Sequence, residues 1–129
     1  MAAEGLSDEE VEALHELELA VEWLRRAHGD LVAFHHEVGH AMDHLADAER
    51  ALREAERPEL ANAVRDEYLP RGVLDDDRWS YDVLESYESS FLEPLCEFEH
   101  NTRDRIAEGQ RHVAERRQER EWRRRADRE

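Results

Sequence analysis

Residues Leu24 to Leu45 read LRRAHGDLVAFHHEVGHAMDHL, and whether they form one helix or two decides the fold. Leu24, His28, Leu31, His35, Val38, Met42 and Leu45 recur at alternating spacings of four and three. That is the a/d seam of a heptad. Gly29-Asp30 lies inside it, where the glycine could close one helix and the aspartate cap another. A tight turn would give the seam no reason to keep its phase, yet the phase is kept. The spacing therefore predicts one continuous helix, bent at most at Gly29.

Working outward, the seam begins at Leu14, Leu17 and Val21 and reaches Leu52. Ser7-Asp8-Glu9-Glu10 is a helix start. Ser7 as N-cap and Glu10 at N3 make a capping box, with Leu6 and Val11 as the hydrophobic staple. The first helix is expected over 7–57, a length of about 75 Å. Pro58 suits the first turn of a short helix over 58–69. Pro70-Arg71-Gly72 breaks it, and an acidic loop over 70–79 carries Asp75, Asp76 and Asp77. A second long helix is expected over 80–125, capped by Ser80 and stapled by Trp79 and Leu84. Its apolar face reads Leu84, Tyr87, Phe91, Leu95, Phe98, Ile106 and Val113, and Pro94 should kink it.

The expected fold is all-α: a long antiparallel helical hairpin or helical bundle in a single domain spanning 1–129. Each long helix buries one seam and leaves flanking residues such as Val32 and Phe34 in need of cover. That predicts self-association, most simply a two-fold homodimer forming a four-helix bundle. A turn at Gly29 would instead give a monomeric bundle of three or four helices.

Charge sets the next constraint. The 129 residues include 34 acids against 18 basic residues, every one of them Arg, for a net charge of −16. The absence of Lys and the acidic excess resemble proteins of extreme halophiles, of the haloarchaeal type. That resemblance implies a surface adapted to molar salt, which screens its self-repulsion. Cys96 is the one cysteine, which excludes an intramolecular disulfide. The opening MAAEGLSDEE has no apolar h-region, so no signal peptide is expected. No apolar run approaches a membrane span. A soluble, cytoplasmic protein is expected.

Within the quoted stretch, His36-Glu37-Val38-Gly39-His40 has the H-E-x-x-H form. It resembles the metal-binding helix of zincin metallopeptidases. That resemblance implies His36 and His40 as zinc ligands and Glu37 as the base. It covers five residues. Zincins set this helix beside a β-sheet, no strand pattern appears here, and no H-x-x-G-x-x-H continuation follows. A chain with eight His and 23 Glu also produces such a match by composition. With His35 on the seam, His36, Glu37, His40 and His44 face outward, so the match is read as an accident of composition. The i, i+4, i+8 stripe His36, His40, His44, with Glu37, remains the candidate for a divalent transition metal such as Zn or Fe. No cofactor is otherwise expected. The Glu-x-x-His pairs Glu12/His15, Glu37/His40 and Glu97/His100 match the ligand spacing of ferritin-like di-metal bundles but point outward.

His28 and His35 lie on the seam itself. They are expected to form a buried polar layer with Tyr87 and Thr102, and with Glu88 near the same face, fixing register as polar a-position residues do. The C-terminal stretch 111–129 carries eight Arg against five acids. Arg116, Arg117, Arg120, Trp122, Arg123 and Arg124 are its candidate interaction residues. The interleaved Glu115, Glu119 and Glu121 point to a helix laced by ion pairs rather than to nucleic-acid binding. There is no Gly-rich phosphate loop and no Ser/His/Asp or Cys/His set, and no catalytic residue is assigned. The leading expectation is a non-enzymatic interaction or scaffold protein with a protein partner. A metal-binding bundle is the alternative, and nucleic-acid binding through the Arg-rich helix ranks third.

Overall fold

The computed structural model describes residues 5–127. The Arg128 and Glu129 of the basic tail lie outside them. The fold is all-α. Helix α1 spans Asp8–Glu54, α2 Pro58–Ala63, α3 Ser80–Tyr87, α4 Glu93–Ala107 and α5 Val113–Ala126. Wide π turns follow α2 at Val64–Tyr68 and join α3 to α4 at Glu88–Leu92, and a 3-10 turn spans Asp75–Asp77. No helix among the described residues is long and apolar enough to cross a membrane.

The α1 helix starts as its first turn dictates. The Ser7 N–H donates to Glu10 Oε1 at 2.9 Å, and the Glu10 N–H donates back to Ser7 Oγ at 3.1 Å. The helix runs through Gly29 without a break. Seam residues Leu17, Leu24, His28, Leu31, His35, Val38, Met42, Leu45 and Leu52 are half-buried, and Leu14 and Val21 are buried. It stops at Glu54, three residues short of the expected end, because Glu56 turns left-handed at φ 61°. The Arg57 N–H then reaches the Leu52 carbonyl at 2.8 Å, closing the orphaned last turn.

The chain divides into two compact units, Met1–Arg26 with Ser89–Glu129, and Ala27–Glu88. In the first, the N-terminal part of α1 packs with α4 and α5. Val11, Leu14, Ala107 and Val113 form its core, flanked by Leu6, Ile106 and Ala114. In the second, the C-terminal part of α1 packs with α2 and α3. Ala61 and Ser80 are its only buried residues among those described.

The expected second long helix over 80–125 is corrected in two places. The first is the π turn at Glu88–Leu92. Pro94 has no N–H, and its ring would collide with the Ser90 carbonyl in a regular helix. The wider turn makes room and inserts one extra residue, which rotates the face that follows. Leu92, Cys96, Glu99, Arg103 and Ala107 turn inward, while Phe91 and Phe98 are 52% and 55% exposed rather than on the apolar face. The second is a break over 108–112. Glu108 (φ 54°), Gly109 (φ 82°) and His112 (φ 59°) are all left-handed, so α5 leaves in a new direction. Arg103 holds the break closed by donating from Nη1 to the Gly109 carbonyl at 3.0 Å. A smaller correction concerns α3. Its N-cap is Trp79, whose N–H donates to Asp82 Oδ2 at 3.0 Å, and Ser80 is freed from capping.

Candidate functional site

The break over 108–112 aims the first turn of α5 at the N-terminal third of α1. On α1, His15 and Glu18 lie three residues apart and share a face. Glu115 comes to them from α5. One ligand atom from each of the three lies within 4.8 Å of the others. His15 Nδ1 is 3.5 Å from Glu115 Oε2, yet it is buried and has no hydrogen-bond partner. Glu18 Oε2 accepts the His112 backbone N–H at 2.9 Å, and Arg117 donates to Asp8 Oδ1 at 2.7 Å and to the Leu6 carbonyl at 3.0 Å. These polar contacts, with Val113 buried in the core, dock α5. A cleft lined by Glu18, Glu22, Arg25, Arg111, His112 and Glu115 opens beside the cluster. No spacing in the sequence announces this grouping. The Glu-x-x-His pattern puts Glu12 beside His15, whereas Glu12 is exposed and the neighbours in space are Glu18 and Glu115.

The seam histidines have partners within the second unit. His28 Nε2–H donates to Glu88 Oε2 at 2.6 Å, and its ring stacks on Tyr87 at 6.1 Å between centroids. His35 Nδ1 lies 2.7 Å from Ser80 Oγ, and its ring meets Tyr81 edge-on. The polar layer is therefore half-buried rather than fully buried, and it is built from Tyr87, Glu88, Ser80 and Tyr81. Within that unit the two imidazoles take Glu88 and Ser80, and Thr102 belongs to the first unit.

His36, Glu37, His40 and His44 are all exposed, on the outward side of the seam. They do not converge into a three-ligand group; among the described residues that arrangement belongs to His15, Glu18 and Glu115. The acidic loop closes on itself. The Gly72 N–H donates to Asp77 Oδ1 at 2.6 Å, and Arg78 Nε donates to the Asp75 carbonyl at 3.2 Å. A Cβ at Gly72 would lie 2.4 Å from the Asp77 carbonyl carbon, so only glycine fits this turn.

Four arginines of α5 are laced to its own acids and to α1. Glu119 accepts from Arg116 at 2.9 Å and pairs with Arg123 at 2.6 Å, Arg124 pairs with Glu121, and Arg117 serves Asp8. The Arg116 hydrogen bond, with the nearby Arg123 charge, holds the Glu119 carboxyl below the usual carboxylate range. Arg120 is half-buried and Trp122 is 57% exposed. Cys96, which has no basic neighbour in sequence, acquires one in space, with Arg25 Nη2 at 3.7 Å from its sulfur.

Comparison with protein-family models, with curated proteins and with solved structures finds no match.

Proposed function

We propose that this chain is a non-enzymatic helical interaction or scaffold protein, adapted to high salt, that works as a homodimer. The observation that carries this reading is the incompleteness of the second unit. Its seam residues Leu31, Val38, Met42, Leu45 and Leu52 are all half-buried, and no large apolar side chain in it is fully buried. A unit of this size already buries a smaller share of its surface than a large domain does. Covering the seam with the same seam of a second copy supplies the missing apolar burial by the simplest symmetric route.

Charge makes the dimer salt-dependent. Residues 27–88 hold sixteen acids against six arginines, so two such faces repel in dilute buffer. Molar salt shortens the screening length to about 3 Å and removes most of that repulsion. The Lys-free, acidic composition supports a salt-rich cytoplasm as the setting. Exposed Phe91, Phe98 and Trp122 leave apolar surface on the first unit for a further protein partner. The ion pairs that occupy Arg116, Arg117, Arg123 and Arg124 count against nucleic acid as that partner.

Sedimentation equilibrium in molar KCl tests the proposal. The expected result is twice the chain mass, falling toward the chain mass as salt is lowered. A monomer in molar salt that still melts cooperatively would overturn it.

A further inference from the structure

We propose that His15, Glu18 and Glu115 bind a divalent first-row transition metal of the Zn2+ class, and that the ion clamps α5 onto α1. The proposal is independent of self-association, since all three ligands belong to the first unit.

The geometry is close to what an ion requires. With bonds of about 2.0–2.2 Å, tetrahedral ligand atoms lie about 3.4 Å apart. His15 Nδ1 and Glu115 Oε2 are already 3.5 Å apart, and no pair in the group exceeds 4.8 Å. Closing the longest edge takes a rotation of carboxylates on long side chains, and the Glu115 side chain is half exposed and free to make it.

His15 Nδ1 supplies an independent reason for a ligand. It is shut off from water and makes no hydrogen bond. A buried polar atom in that condition loses its hydration with nothing in return. An imidazolium paired with Glu115 would remove the cost only with a bond of about 2.7–2.9 Å, shorter and better directed than the contact seen. A metal ion uses the nitrogen lone pair directly.

The donor set selects the class of ion. One imidazole nitrogen and two carboxylates suit Zn2+, Fe2+, Mn2+ or Co2+. Ca2+ and Mg2+ prefer oxygen alone, and no thiolate is present to favour Cu+. Two carboxylates against one dication leave the site neutral. The cleft lined by Glu22, Arg111 and His112 gives an entry path and room for coordinating waters.

The ligands come from two helices, so the complete site exists only while α5 is docked. Whatever binds the docked state alone stabilises it by mass action. The metal is therefore a determinant of whether the Arg-rich helix is held against α1 or released.

The test is a calorimetric titration of Zn2+ into the metal-free, untagged full chain in molar salt, with hydrogen exchange of α5 amides as a second readout. One Zn2+ per chain is expected. His15→Ala and Glu115→Gln should each lower affinity by about a hundredfold, the upper end of what loss of even an outer-shell partner costs. The His36→Ala/His40→Ala double variant should bind as wild type does. Zn2+ should slow exchange across 113–126 in the wild type and not in Glu115→Gln, a near-isosteric change that keeps the fold. Absence of one-to-one binding overturns the site, as does binding retained in both ligand variants or lost in the His36/His40 variant. Binding lost with His15→Ala but kept with Glu115→Gln overturns the clamp.

Discussion

Replacing Arg103 by Met should destabilise the first unit by about 3 kcal/mol, and the number follows from where the side chain sits. Arg103 pairs with Glu99 through Nε to Oε2 at 3.0 Å, with Nη2 at 3.4 Å from Oε1. Its remaining nitrogen, Nη1, donates to the Gly109 carbonyl. Two magnitudes compete for such a pair. Exposed ion pairs contribute about 0–1 kcal/mol, whereas removing one partner of a buried pair costs about 3–5 kcal/mol. The side chains are 12% and 11% exposed, which places the pair near the buried limit. Arg103→Met keeps most of the apolar stem but leaves a carboxylate without its cation and a carbonyl without its donor. For a chain of this size, 3 kcal/mol corresponds to a fall in melting temperature of about 12 °C. Thermal melts followed by circular dichroism in molar salt read this directly. The double variant Glu99→Leu/Arg103→Met should recover part of the loss, because apolar neighbours of similar size often replace a buried pair without penalty. Limited proteolysis should also cut the single variant faster within 108–112, where Gly109 has lost its clamp. A melting temperature within about 2 °C of wild type would mean the pair behaves as a solvated one and would refute the reasoning.

Other expectations follow from the backbone and from charge. Gly29→Ala should stabilise the protein by about 0.5–1 kcal/mol, since Gly29 is helical and a Cβ there meets nothing within 4 Å; a lowered melting temperature would contradict a continuous α1. Gly109→Ala should destabilise by about 1–2 kcal/mol, because its φ is 82° and a Cβ would lie 2.9 Å from Asp104 Oδ1; denaturant midpoints compare the two glycine variants. Glu119 should titrate below an exposed glutamate in an NMR carboxyl titration and return toward the ordinary value in Arg116→Ala. Because its folded value is lowered, its contribution to stability is present above the unfolded value of about 4.3 and is lost as pH falls through the lower folded one.

Periodicity by itself was enough for the all-α fold and for α1. The a/d seam predicted which α1 side chains turn inward and which, including His36, Glu37, His40 and His44, turn out, because both follow from the fixed 100° step of one helix. The capping box at Ser7 was legible for the same local reason. Tertiary structure decided what local geometry could not. The register past Pro94 changed because the backbone there widens to accommodate a ring without an N–H, and that moved Phe91 and Phe98 to the surface and Glu99 inside. The left-handed Glu108 and Gly109 end α4 where one helix over 80–125 was expected to continue. The grouping of His15 and Glu18 with Glu115 depends on the direction α5 takes after three left-handed residues, Glu108, Gly109 and His112, and on Arg103 holding that break shut. A spacing along the chain carries no information about that direction, so the histidines that stood out in the sequence and the histidine that acquired neighbours in space are different residues.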